Sequence, residues 1–510
     1  MSHQKPNILL ITSDQQHYST LGAINDRIRT PALDRLCNEG VRFDRAYCPN
    51  PTCTPTRASI ITGRMPSEHG AWSLGTKLFE DVPTVGDALQ AAGYFTALIG
   101  KAHFQPLASR PGMESLECQP TLRDLDFWRG FHGPWYGFQH IELARNHADE
   151  SHAGQHYAIW MEENGLTNWR DYFQPWPPKP EGRKRQYFIR DNRSWSLPEE
   201  FHYTHWTGER TIAQLDRAAG EGRPFFLWSS FHDPHPPYVL SEPWASMYDP
   251  DDVPVGRLHE GEHERNPIHF RKTQQDDPEF WKRARQGEAI HGGHCQLRDP
   301  KELKKDVACY YGMVSFMDRE IGRIVNRLDE LGIADRTLVI FTTDHGHFLG
   351  QHGLIAKAIH HYEDLLRLPF IVRWPGRVPA GQVSEAIQNL VDLAPTFLAA
   401  AGLEIPGIMT GVNQLDTWCG GEAARTWSIT ENHHGTRCFH MRSYVDQRHK
   451  ITVYRDGADG ELFDLAEDPD ETSNLWHDPA SQQLKARLLH EFLQAILQSE
   501  PIRMPRIAGA

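Results

Sequence analysis

Four short apolar runs in this chain end abruptly in groups able to bind a metal or move protons. Asn7-Ile8-Leu9-Leu10-Ile11-Thr12 gives way to Asp14-Gln15, and Phe95-Thr96-Ala97-Leu98-Ile99 to Lys101 and His103. Phe225 to Phe231 leads into His232-Asp233, and Thr337 to Thr342 into Asp344-His345. One such ending is an ordinary polar loop. Four together predict a shared site, and the mixture of carboxylates and imidazoles favours a bound metal. A further stretch, Cys53-Thr54-Pro55-Thr56-Arg57-Ala58-Ser59, adds a nucleophile. If Cys53 opens a helix, Arg57 follows one turn later on the same face. Residue 53 then stands at the positive end of the helix dipole beside a guanidinium, a setting that suits a tetrahedral anion. The same residues also fit a low-pKa cysteine or a buried structural one, which is the commoner fate.

The apolar runs read as buried strands, and helices alternate with them. Thr30 to Gly40 has a cap residue, Pro at the first helical position and a closing Gly, so it predicts a helix. Pro83 to Ala92 and Asp306 to Leu331 predict two more, the latter from Val314, Met317, Ile321, Ile324 and Leu328 at helical spacing. Strands alternating with helices imply an α/β fold, a large mostly parallel sheet covered on both faces. Ligand sites in such sheets lie outside the carboxyl ends of the strands, where all four polar endings fall. Two irregular stretches, about 105–200 and 240–300, read as insertions on a catalytic domain spanning 1–405. Residues 406–510 read as a smaller C-terminal domain with a few antiparallel strands and a final helix from about Pro479 to Gln498.

Cys53-x-Pro55-x-Arg57 followed by Ala58-Ser59 and Thr62-Gly63 resembles the sulfatase signature, in which the cysteine is oxidised to formylglycine. Gly93 to His103 resembles the family's second signature. Thr343-Asp344-His345-Gly346 with Gly350-Gln351-His352-Gly353 and Lys357 resembles its late metal and lysine motif. Asp392-Leu393-Ala394-Pro395-Thr396 and Glu461-Leu462-Phe463-Asp464-Leu465 resemble its C-terminal landmarks, so the likeness runs in order from residue 7 to about 475. The resemblance implies one divalent metal held by Asp14, Gln15, Asp344, His345 and an oxygen of modified Cys53. It implies attack on sulfur by hydrated formylglycine, with Arg57 and Lys101 neutralising the sulfuryl oxygens. His232 and Lys357 would protonate the leaving oxygen, and His103 would receive the proton released as the aldehyde is restored. Common sulfatases have Asp and Asn where this chain has Gln15 and His345, a pattern it shares with the related phosphonate monoester hydrolases. One charge fewer and one nitrogen more make Mn²⁺ a competitor of the usual Ca²⁺.

The function implied is arylsulfatase-like hydrolysis of a small sulfate ester, after maturation by a formylglycine-generating enzyme. Two alternatives stand beside it: a phosphonate monoester or phosphodiester hydrolase, and an unmodified binder of metal and sulfated ligands. Dinucleotide binding is disfavoured, since no GxGxxG follows the first strand. A formal charge of -14 gives no support to a nucleic-acid or anionic-membrane partner. No run approaches the roughly 18 apolar residues of a membrane span, and the start of the chain lacks a signal-peptide pattern, so a cytoplasmic location is expected. The eight cysteines show no CxxC spacing and read mostly as reduced and buried. The segment after Trp476 could support a homo-oligomer. His259, His263, His291, His294, His360, His361, His433 and His434 are expected to be exposed, and Trp128, Phe131, Trp135, Tyr136 and Phe138 to form core beneath an insertion.

Overall fold

The computed structural model describes residues 5–175, 193–274, 293–294, 299–357, 359–433, 440–501 and 507. At its centre is an eight-stranded sheet. Its strands run, from edge to edge, Gln382–Ser384, Val41–Phe43, Phe370–Arg373, Thr337–Thr343, Asn7–Ser13, Phe225–Ser230, Phe95–Gly100 and His140–Leu143. Phe370–Arg373 alone is antiparallel to its neighbours; every other pairing is parallel.

The first strand shows why the sheet must be covered twice. Ile8 and Leu10 join one core, on the face carrying the helices Cys53–Thr62, Val85–Ala91 and Leu393–Ala400. Leu9 and Ile11 join the other, against Pro31–Glu39, Tyr203–Glu221 and Pro300–Glu330. All four side chains are fully buried, each contributing about 1.5–3 kcal/mol of hydrophobic stabilisation. An α/β sandwich follows directly from a strand apolar on both faces.

Pro300–Glu330 begins six residues before the expected start, because Asp299 caps it and Pro300 takes the first helical position. Within the stretch expected to be irregular, His140–Leu143 adds the edge strand of the sheet. Trp128, Trp135, Tyr136 and Phe138 are buried in the main core, with Phe131 packed against it. Four antiparallel strands, Ser428–His433, His440–Val445, His449–Tyr454 and Gly460–Asp464, form the C-terminal sheet. Helix Gln482–Gln498 covers it through Leu488, Phe492 and Ala495. Cys37, Cys48, Cys53, Cys118 and Cys309 are free and buried, and Cys419 is free and exposed; Cys295 and Cys438 lie outside the described residues. Among those residues no helix is long and apolar enough to cross a membrane.

Candidate active site

Thr337–Thr343, Asn7–Ser13, Phe225–Ser230 and Phe95–Gly100 are adjacent and parallel, so their carboxyl ends open onto one crevice. Cys53 enters it as the first residue of a wholly buried helix, Cys53–Thr62, which Gly63 closes in the left-handed conformation. The Cys53 Sγ lies 3.7 Å from Asp14 Oδ1, 3.2 Å from His345 Nε2 and 3.0 Å from Lys357 Nζ. One turn along, Arg57 donates from Nε to Asp344 Oδ2 at 2.9 Å. It also donates from Nη1 to Ser230 Oγ at 2.7 Å and to the Lys101 carbonyl at 2.9 Å. Lys101 Nζ donates to Asp14 Oδ2. Two fully buried carboxylates are tolerated here because each is matched by a buried cation.

Asp14, Cys53, Asp344 and His345 each offer a ligand atom, all within 4.8 Å of one another. Gln15 adds an oxygen: its Nε2 is engaged with His347 Nδ1 at 2.8 Å, while its buried Oε1 has no partner. Buried polar atoms rarely remain unpaired, so an orphaned oxygen on the residue whose backbone N–H binds Asp344 fits a divalent cation held by this group.

Burial raises Asp14, but Lys101, His235, His147 and Arg57 outweigh it and hold the carboxyl well below its ordinary range. Burial and Asp14 push the Cys53 thiol up, yet Lys101 and Lys357 prevail and lower it to about 6. Burial opposes the charge on Lys357, but Cys53 and Asp14 raise its pKa. The site is therefore built around negative charge at residue 53.

The structure thus gathers Asp14, Cys53, Arg57, Lys101, Asp344, His345 and Lys357 in direct contact. Gln15 touches Asp344 through its backbone N–H, at 3.0 Å. His232 stands further out, its Nε2 donating to the Ala144 carbonyl at 2.9 Å and its Nδ1 unpartnered. His103 donates its backbone N–H to Glu117 at 2.8 Å, and its Nδ1 is likewise buried without a partner.

Two histidines outside the expected set complete the cluster. His147 Nε2 lies 2.7 Å from Lys101 Nζ, and His235 Nε2 3.2 Å from Lys357 Nζ. Their rings stack with centroids 3.7 Å apart, linking the two lysines. His147 follows the edge strand His140–Leu143, and reading that strand would have exposed it as another polar ending. The expectation of exposed histidines fails at His263, His360 and His361, which are buried; His291 and His434 lie outside the described residues.

Comparison with known proteins places the chain among its relatives. The sulfatase family model matches residues 6–403, and that of the N-sulphoglucosamine sulphohydrolase C-terminal region matches residues 350–498. An arylsulfatase of Clostridium perfringens is 29% identical, with 97% of this chain and 94% of that protein covered. The multifunctional alkaline phosphatase superfamily protein PehA of Trinickia caryophylli is 30% identical over 97% of this chain and 95% of its own length. The solved phosphonate monoester hydrolase of Silicibacter pomeroyi shares the fold, with a TM-score of 0.78, 24% identity and 98% and 96% of the two chains covered. A family match over most of the chain, residues 6–403, makes this protein a member of the sulfatase family.

Proposed function

We propose that the protein hydrolyses sulfate monoesters, with residue 53 as nucleophile after oxidation of Cys53 to formylglycine. The observation that carries the reading is the Cys53 Sγ, 3.0 Å from Lys357 Nζ and 3.7 Å from Asp14 Oδ1 at a helix N-terminus. That sulfur stands where an oxygen of the modified side chain would be. Asp14, Gln15, Asp344 and His345 are the residues to hold a divalent cation, Ca²⁺ or Mn²⁺. Such a cation would supply Lewis acidity, making a hydroxyl of the modified residue 53 acidic enough to serve as a nucleophile at neutral pH.

The chain's own groups do the rest. Arg57 Nη2 has no hydrogen-bond partner and, with Lys101, is available to an incoming sulfuryl group. Lys357, beside residue 53, is the group to protonate the departing alcohol or phenol, with His232 as the second candidate. His103, whose Nδ1 has no partner, is the base for the proton released as sulfate departs. The whole Cys53–Thr62 helix is buried, so a formylglycine-generating enzyme must reach Cys53 before the chain has folded.

A second reading, phosphonate monoester or phosphodiester hydrolysis, is favoured by Gln15 and His345, which leave two carboxylates, Asp14 and Asp344, at the cation site among the described residues. Relative kcat/KM for an aryl sulfate, a phosphonate monoester and a phosphodiester tests both. The proposal expects the sulfate to be preferred; a phosphonate preferred by about tenfold or more would transfer the assignment.

A further inference from the structure

The edge strand His140–Leu143 pairs with Phe95–Gly100 so that Leu143 lies opposite Gly100, and Ala144 donates its N–H to the Gly100 carbonyl at 3.1 Å. Arg145 therefore leaves the sheet alongside Lys101 and His103. It is only 3% exposed, and among the described residues none of its guanidinium nitrogens has a hydrogen-bond partner. Nε is buried without a partner. The nearest anion, Glu117, stays 3.7 Å from Nε, and its two oxygens already accept the backbone N–H groups of His103 and Gln105, at 2.8 and 2.7 Å. Two unpartnered buried polar atoms lie on the neighbouring residues, Asn146 Oδ1 and His103 Nδ1. The next residue but one, His147, reaches Lys101 Nζ.

A guanidinium presents five donors in a planar fork matched to an oxyanion, and burying it with none of them used is costly. The catalytic account leaves this charge without a task. We propose that Arg145 binds a second oxyanion on the substrate, a carboxylate or a further sulfuryl group, so that the natural substrate carries another acidic group besides the ester it loses. This rests on the sulfate ester reading above and narrows it to polyanionic esters.

Matched aryl sulfates test it, each bearing a ring carboxylate or sulfonate at the ortho, meta or para position and compared with its neutral ester twin. The wild-type protein should favour the acidic member at one spacing or more by about tenfold in kcat/KM, the scale of a charged hydrogen-bonded pair. Arg145→Gln should bring that ratio towards unity, and Arg145→Lys should keep part of it. The carboxylate and sulfonate arms identify which oxyanion is taken. A ratio near unity at every spacing in the wild type overturns the proposal, as does a ratio unchanged in Arg145→Gln. If no sulfate ester in either set is hydrolysed, the reaction assignment fails instead. Calorimetric binding of sulfobenzoates against their methyl esters, which needs no turnover, then decides the Arg145 subsite by the same ratio.

Discussion

Lys357 and His352 sit five residues apart and do different work. Lys357 Nζ lies 3.0 Å from the Cys53 Sγ and 3.2 Å from His235 Nε2, and in the proposed reaction it is the group that protonates the leaving oxygen. As general acid it should matter most for poor leaving groups. Lys357→Ala should lower kcat/KM by about 10²–10⁴-fold for sulfates of weakly acidic phenols. The loss should be much smaller for strongly acidic ones; one of equal size across a leaving-group series would remove Lys357 from that role. His352 is structural: its Nδ1 lies 3.1 Å from Glu262 and its Nε2 3.3 Å from Asp364. Burial lowers its pKa, but hydrogen bonds to Asp364 and Glu262 prevail and raise it from 6.5 to about 9. A raised pKa means the stabilisation is fully present below about pH 6.5 and is lost as pH climbs through about 9. It amounts to about 3 kcal/mol. The stability gap between wild type and His352→Gln, measured by denaturant unfolding, should therefore shrink from pH 6.5 to 9.5. A gap independent of pH would contradict the ion-pair account.

At the scale of elements, catalytic precision depends on where strands stop. Gly100 has φ +103°, and a Cβ there would lie 2.0 Å from the Ser230 carbonyl oxygen, directly before Lys101. Gly100→Ala should destabilise by at least about 2 kcal/mol through overpacking and backbone strain, and should cut kcat/KM about tenfold or more by moving Lys101. At Gly93, also at positive φ, nothing lies within 4 Å of a Cβ. Gly93→Ala should carry the strain alone, about 1 kcal/mol, so thermal unfolding and kinetics of the pair separate crowding from strain. The central strands were legible in sequence because Asn7–Ser13, Phe95–Gly100, Phe225–Ser230 and Thr337–Thr343 are continuous apolar runs buried on both faces. His140–Leu143 was not: its four residues include His140 and Glu142, and Glu142 is buried only because Arg210 and His140 pair with it. With that strand went the signal for Arg145 and His147.

Across the whole molecule, the C-terminal sheet is tied to the segment beyond Asp344. Lys450, on the strand His449–Tyr454, is fully buried with Nζ 3.2 Å from Glu363 and 2.5 Å from Glu471. The same sheet reaches the loop before Cys53, where Asn50 Nδ2 donates to the Glu431 carbonyl at 2.7 Å. We infer that residues 406–510 act as a buttress for the catalytic part rather than as an independent unit. Lys450→Met leaves two buried carboxylates facing each other and should cost about 3–5 kcal/mol at pH 9, where both would ionise. Burial already pushes Glu471 up to about 7, so protonation should relieve much of that cost at pH 5.5. Chemical denaturation at the two pH values checks this, and an equal loss at both would contradict it. The sequence indicated a distinct C-terminal region from its alternating strands, but not this contact. Lys450, Glu363 and Glu471 are far apart in the chain, and no local pattern marks a long-range buried ion pair.

The most direct test of the account is the mass of the tryptic peptide carrying residue 53, taken from protein purified from its native host and shown to hydrolyse an aryl sulfate. An aldehyde, or its hydrate, in place of the thiol is the predicted result. A peptide bearing only intact cysteine in an active preparation would contradict it.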